Sequence, residues 1–344
     1  MSSSCIYGSH RVVSPPGSLP QGAWKLDPSL PIRENEILIT VDTLNIDSAS
    51  FHQMMQSGGD KEAVSRIVLE TVEQRGKQHN PVTGSGGMLL GTISEIGSQW
   101  PNPQNLQVGD RIATLVSLSL TPLFIKKIVS VREDRDQIKI EGHAILFATS
   151  NLARIPEDLP ESLSLAVLDV AGAPAQMLRL CKPATTIIIV GAGGKSGLLC
   201  CAAARSVLGK SGRLIGIEPG SRGRQRLTEL GYCDVVLDLD ATNALLVQKT
   251  IQGLTEGKMA DLVVNVANVE NTEMSCVMST HQQGTVYFFS MATSFTRVAL
   301  GAEGISSDAT LLIGNGYSPN NADIALDVLR SDPRLKALFT ELYA

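Results

Sequence analysis

The sequence predicts an α/β protein of two domains, a β-rich domain followed by a doubly wound parallel sheet with helices on both faces. Three observations carry this. From Glu36 to about residue 150, short β-branched runs alternate with glycine turns and little helix. From Pro160 on, helical and strand patterns alternate, as they do when helices cover both faces of a parallel sheet. At the head of that second half, Thr185 to Glu218 reads as strand, glycine turn, helix and second strand in one run. With 344 residues the chain is long enough for two cores. The expected β-rich domain is 1–155 together with 315–344, and the expected parallel-sheet domain is 156–314.

The first thirty-five residues, with Pro15, Pro16, Pro20, Pro28 and Pro31, read as an irregular leader. Glu36 to Thr43 alternates as a strand, and LNIDSASFHQM turns into a short helix. Asp60 to Gln78 carries apolar residues at Val64, Ile67, Val68 and Val72, the spacing of an amphipathic helix. GSGGMLLGTISEIG and LQVGDRIATLVSLSL each give a turn and a strand, and Leu123 to Val131 and Ala144 to Leu152 add two more. Leu163 to Cys181 is a helix bent at Gly172 and Pro174. Strands are expected at Ile187–Val190, Arg213–Ile217, Val235–Leu239, Asp261–Val266, Thr285–Ser290 and Thr310–Gly316, with helices between them. Two final helices are expected to return to the first domain.

The glycine turn is the most specific stretch. Gly191, Gly193, Gly194 and Gly197 follow a buried strand, allow a tight turn and let backbone approach a diphosphate. Lys195 and Ser196 lie inside the turn. The third glycine of the usual G-x-G-x-x-G is displaced by one position, so the assignment rests on its strand-turn-helix context. Glu218, at the end of the second strand, selects a free ribose 2′-hydroxyl and hence NAD, whereas Arg222 and Arg224 suit a 2′-phosphate and hence NADP. The sequence leaves that choice open.

Composition narrows the partners. A net charge of −5 with 29 Lys and Arg argues against a nucleic-acid or membrane surface. No apolar run approaches 18 residues, and the opening MSSSCIYGSH has no export signal, so a cytoplasmic protein is expected. Six cysteines without paired spacing read as reduced structural thiols, and the five scattered histidines suggest no metal.

The order of these pieces resembles the medium-chain dehydrogenase/reductase superfamily, a GroES-like catalytic domain followed by a Rossmann domain. Within it, YGSHRV, LNIDSASF, QHNPVTGSGGMLLGT, VGDRIATLVSLSLTPL, LDVAGAPAQ, TVYFFSMATSFT, ALGAEG and LLIGNGY are similar to the L-erythro-3,5-diaminohexanoate dehydrogenases of lysine fermentation. The resemblance implies oxidation of the 3-amino group of that diamino acid to 5-amino-3-oxohexanoate and ammonia, with NAD or NADP, in a homodimer or homotetramer. It departs from zinc alcohol dehydrogenases, because the LNIDS turn and Gly84-Ser85-Gly86 stand where those enzymes place metal ligands. A zinc-free quinone or enoyl reductase is the alternative on the same fold.

An ammonium must become neutral before hydride can leave its carbon, so the implied reaction needs a base. The resemblance puts Asp47 and Ser48 in a turn facing substrate and Asp169 on a helix bordering the nicotinamide. Asp47 reads equally as a turn residue bonding its own backbone, and Asp169 as a carboxylate capping the helix bend. His52 is a candidate proton relay. Ser85 is placed to hold substrate or water, Glu303 to meet the second ammonium, and Arg11, Lys77 or Arg297 to bind the substrate carboxylate. Asn265 and Val266 are expected by the nicotinamide ribose, and Ser290, Met291 and Ala292 by the carboxamide.

Overall fold

The computed structural model describes residues 4–81, 84–314 and 316–344, and of Ser48 and Ala49 the backbone only. The chain folds into two units, Met1–Asp158 and Leu159–Ala344.

In the first unit β1 (Val12–Ser14) pairs with β2 (Lys25–Leu26). Then come β3 (Glu36–Asn45), α1 (Ser48–Gly58), α2 (Lys61–Arg75), β4 (Met88–Ile96), β5 (Arg111–Thr114), β6 (Leu123–Arg132), β7 (Gln137–Phe147) and β8 (Leu152–Arg154). The last six strands named from β3 on form an antiparallel sheet in the order β6-β7-β3-β4-β5-β8. Ile37, Ile39 and Val41 alternate into its core with Leu89, Ile112 and Ile140, as a half-buried sheet requires. The segment expected as one strand at Ala144–Leu152 is divided. Ser150 bonds back to Phe147 through both its amide and its hydroxyl, and this turn separates β7 from β8.

The amphipathic helix is present as α2. Asp60 accepts the Ala63 amide at 2.8 Å, Gly76 closes the helix at φ 61°, and Val64, Val68 and Val72 are buried. The helix α1 begins on Asp47, which accepts the Ser50 amide at 2.9 Å.

The second unit opens with α3 (Glu161–Leu168) and α4 (Gly172–Leu180), which meet at 49°. The break falls at Asp169–Ala171, just before Gly172 and Pro174, because a proline fits only in the first turn of a new helix. Next come β9 (Thr186–Val190), α5 (Lys195–Leu208), β10 (Arg213–Ile217), α6 (Ser221–Leu230), β11 (Val235–Leu237), α7 (Ala244–Leu254) and β12 (Ala260–Asn265). They are followed by α8 (Glu273–Met278), β13 (Thr280–Phe288), α9 (Phe295–Gly304), β14 (Thr310–Ile313), α10 (Asn321–Ser331) and α11 (Pro333–Tyr343). The sheet is parallel throughout, in the order β11-β10-β9-β12-β13-β14. Its first strand in sequence, β9, lies between β10 and β12, so the order reverses there and opens a crevice at the carboxyl ends of the strands. Ile188, Val190, Ile215, Ile217, Val263, Val286 and Phe288 fill the sheet.

The last helices correct an expectation. Residues from 316 on cluster with the second unit and not with the first. The buried stripe of α10 (Ala322, Ala325, Leu326, Leu329) lies against α3, α4 and α5, and α11 lies against α3 through Leu335 and Phe339. The Tyr232 hydroxyl donates to Asp332 at 2.7 Å and fixes the junction between them. The repeated apolar stripe shows that these helices are buried, but only packing shows against which sheet.

Among the described residues no single helix is long and apolar enough to cross a membrane, and the bent pair α3–α4 is largely core. All six cysteines are unpaired, Cys201 and Cys233 touching at 3.7 Å.

Candidate active site

The glycine turn sits at the carboxyl end of β9, at the reversal of strand order. Gly191 has φ 80°. A Cβ on Gly193 would stand 2.5 Å from the Gly223 Cα, and one on Gly197 would stand 2.3 Å from the Gly191 carbonyl oxygen, so the turn, α5 and α6 approach at distances only glycine permits. The first amides of α5, on Lys195, Ser196 and Gly197, have no acceptor within the helix, and Gly194 provides no side-chain cap. Such a helix end is an anion site.

A crevice of about 370 Å³ opens beside it, lined by Gly191, Gly194, Lys195, Ser196, Gly197 and Glu218 among the expected residues and by Ile217, Asp240, Ala241, Asn268 and Thr272 among those not foreseen. Its other walls include Val266 and Ala267. The additions come from the last residue of β10 and from the loops after β11 and β12. Their signal was positional, since each ends or follows a strand at the same edge of the sheet.

Glu218 is held from two sides. Its Oε2 accepts the Gly193 amide at 3.0 Å and its Oε1 accepts the Gly220 amide at 2.8 Å. Arg224 is turned to other partners, donating to Asp238 at 2.9 Å and to the carbonyls of Glu218 and Pro219. Arg222 is exposed on the first turn of α6.

Asp169 lies where α3 ends. Its carboxylate accepts a bond from Lys195 Nζ at 2.5 Å, which ties it to the glycine turn. Asn265 plays a different part from the one expected. Its side chain is fully buried, donates to Thr272 Oγ1 at 2.8 Å and accepts the Ala267 amide at 3.1 Å, so it braces the crevice wall from behind. Ser290 likewise receives the Ala292 amide at 3.2 Å, while Met291 is 85% exposed.

In the first unit, Asp47 caps α1 with one oxygen, and its buried Oδ2 has no hydrogen-bond partner among the described residues. His52 is exposed on α1. The Ser48 side chain lies outside the described residues. Asn80, which sequence reasoning missed, links the Ser85 segment to α1: its amide donates to the Ser85 carbonyl at 2.8 Å, and its Nδ2 donates to Gln53 Oε1 at 2.9 Å and to the Ser50 carbonyl. The structure therefore brings Ser85 and Asp47 into one local network.

Two expected substrate residues are otherwise employed. Arg11 is buried and donates to both oxygens of Glu36, at 2.9 and 2.6 Å, and to the carbonyls of Ser29 and Pro31. That pairing, with a bond from His10 and the Arg33 amide, outweighs burial and holds the Glu36 carboxyl down to about 2. With its donors so occupied, Arg11 has a structural task. Glu303 lies at the far end of α9, which runs back from the crevice edge. There the Ser306 amide donates to the Glu303 carbonyl, and the Ser306 carbonyl accepts from Gln282 at the start of β13. A helix between parallel strands places its last turn at their amino ends, opposite the crevice.

Of the remaining carboxylate-binding candidates, Arg297 reaches Glu270 and Glu273, both at 3.7 Å. Lys77 is buried with its ammonium on the Pro20 carbonyl at 3.1 Å, and burial, with the nearby Arg75 charge, pushes its pKa down to about 8. Among the described residues no three His, Cys, Asp or Glu side chains gather as a metal site.

The reversed parallel sheet, the glycine turn at its switch point and the antiparallel first unit define a medium-chain dehydrogenase/reductase. Solved structures agree on the fold. The chain resembles Pseudomonas syringae quinone oxidoreductase at 18% identity and TM-score 0.55, covering 93% of this chain and 84% of that one. It also resembles Escherichia coli quinone oxidoreductase complexed with NADPH at 17% and 0.51, covering 92% and 83%. Residues 10–156 match the model of the L-erythro-3,5-diaminohexanoate dehydrogenase N-terminal domain. Proteins named L-erythro-3,5-diaminohexanoate dehydrogenase are 48% identical in Acetoanaerobium sticklandii, over 98% of this chain and 99% of the relative, and 45% identical in Fusobacterium nucleatum subsp. nucleatum, over the full length of both. The chain belongs to the L-erythro-3,5-diaminohexanoate dehydrogenase family.

Proposed function

We propose that this chain oxidatively deaminates the 3-amino group of L-erythro-3,5-diaminohexanoate in lysine fermentation, the C3 hydride leaving to give an iminium to which water adds, so that ammonia departs and 5-amino-3-oxohexanoate is formed. The observation that carries the reading is full-length identity of 48% and 45% to two relatives of that name. The second unit fits a dinucleotide: the uncapped amides of Lys195, Ser196 and Gly197 suit a diphosphate, the glycines leave space a Cβ would fill, and Glu218 stands at the end of β10 for a ribose diol. Bound NAD(P)+ supplies the acceptor for the hydride that leaves C3. NAD is favoured over NADP, because the fixed Glu218 charge opposes a 2′-phosphate and Arg224 is committed to Asp238.

The chain's own work is proton handling. An alkylammonium, ordinarily near 10, must lose its proton before C3 can be oxidised. Asp169 in the second unit is the proposed acceptor of that proton. Asp47 in the first unit, with a buried oxygen that has no hydrogen-bond partner among the described residues, is the second carboxylate proposed to meet substrate ammonium. Asn80 keeps Ser85 and α1 in register. His52, exposed on α1, is proposed as a relay to solvent.

The same reading includes a cytoplasmic homodimer or homotetramer with neither nucleic-acid nor membrane partners, for which light scattering on the purified protein is the check of assembly. The activity test offers the diamino acid with NAD and NADP separately, with and without EDTA, and follows reduced cofactor and ammonia together. Equal formation of both, unaffected by chelator and faster with NAD, is the expected result. No reduction with either cofactor, alongside NADPH-dependent turnover of a quinone or enoyl thioester, would overturn it.

A further inference from the structure

Lys195 occupies two roles that one ammonium cannot fill at once. It is the first residue of α5 and lines the crevice at the anion-binding helix end. Its Nζ is also 2.5 Å from Asp169 Oδ2, and the two side chains are 28% and 36% exposed. From the neighbouring elements, Arg226 of α6 and Lys195 both act on the Tyr343 phenol of α11, so Arg226 adds positive charge to the surroundings of the pair. While the Lys195 ammonium is bonded to Asp169 Oδ2, that oxygen is closed to a second cation. A diphosphate at the end of α5 offers the same lysine more negative charge than Asp169 does.

We propose that Lys195 is a positioning residue shared between Asp169 and the dinucleotide diphosphate, so that filling the crevice draws Lys195 off Asp169 and leaves that carboxylate free to take the substrate's proton. The order of binding is then built in, with dinucleotide before diamino acid. The ammonium that arrives second replaces the lysine as the cation beside Asp169, and its proton passes from nitrogen to a carboxylate oxygen. This deepens the amine dehydrogenase reading and rests on it for the identity of the second cation. The competition for Lys195 does not require that reading.

The test therefore contains no diamino acid. ADP-ribose, which carries the diphosphate, and adenosine, which lacks it, are titrated by calorimetry into the wild type, Asp169→Asn, Lys195→Met and the double variant at one low salt concentration. Circular dichroism and thermal melting confirm that each is folded. Freed from its carboxylate, Lys195 should bind ADP-ribose about two- to fivefold more tightly in Asp169→Asn, the range of a partly exposed ion pair, with adenosine unchanged. Lys195→Met should weaken ADP-ribose, and Asp169→Asn should add nothing in that background. An Asp169→Asn protein that binds ADP-ribose no better than the wild type would overturn the proposal. So would a gain of the same size in the Lys195→Met background, because the carboxylate would then act by bulk repulsion and not through the lysine.

Discussion

Replacing Arg11 by methionine separates a structural arginine from a substrate-binding one. The guanidinium makes two bonds to Glu36 and two to backbone carbonyls, and neither side chain is more than 3% exposed. In Arg11→Met the Glu36 carboxylate keeps only His10, at 2.7 Å, and the Arg33 amide, also at 2.7 Å. Leaving one buried charge without its partner costs about 3–5 kcal/mol. The fall of the Glu36 carboxyl from 4.5 to about 2 gives an independent figure of about 3 kcal/mol for what its partners contribute. We therefore expect a loss of about 3–4 kcal/mol in the first unit. The sign with pH follows. A carboxyl depressed by folding contributes stability above its unfolded value, so the wild type should lose this increment as pH falls from 4.5 toward 2, and the variant should lose less over that range. Both tryptophans, Trp24 and Trp100, lie in the first unit, so their fluorescence in a urea titration reports that unit alone. Replacing both partners, as in Arg11→Met with Glu36→Leu, should recover most of the loss. An unchanged urea midpoint in Arg11→Met, joined to a large rise in KM for the diamino acid, would show that Arg11 serves the substrate and that the burial argument fails.

In Gly193→Ala the new Cβ would meet Gly223 backbone atoms at 2.5, 2.7 and 2.8 Å, which cannot swing aside as a side chain can. ADP-ribose should bind about tenfold more weakly by calorimetry while the tryptophan-reported midpoint of the first unit stays put. Lys77→Met should stabilise the first unit at neutral pH by about 2 kcal/mol, because the unfolded chain holds a proton that burial makes costly to keep. Unfolding binds protons between 8 and 10.5, so wild-type stability rises with pH across that window and the advantage of Lys77→Met should shrink as it does; urea midpoints at a series of pH values check both statements.

What the sequence disclosed was mostly local. The stretch from Ile187 to Glu218 was legible because strand, turn, helix and strand are contiguous, and Gly197 answers the turn itself while Gly193 answers the next helix. The helix α2 was legible from Val64, Val68 and Val72 because a spacing of four fixes a face wherever that face points. Long-range pairings were not. Nothing around Arg11 announces Glu36, and a buried ion pair looks in sequence like two candidate site residues. Glu303 misled because composition says nothing about which end of a helix reaches the crevice. Asn265 was found at the right strand end, yet its amide turns to Thr272, a choice made by side-chain geometry. Asn80 was passed over since its importance lies in bonds to α1 across a loop.

One carboxylate, Glu218, is bonded at once to the amides of Gly193 and Gly220. It fastens the turn that would carry phosphate to the turn that would carry ribose. An engineer who exchanges it for a small neutral residue to admit NADP therefore unfastens the two turns as well, and performance with both cofactors declines together. Redesign succeeds only if the replacement keeps an acceptor between those amides while the new positive charge is brought in from α6. A single side chain thus joins the ribose contact to the stiffness of the nucleotide cradle, and a change at Glu218 alters both.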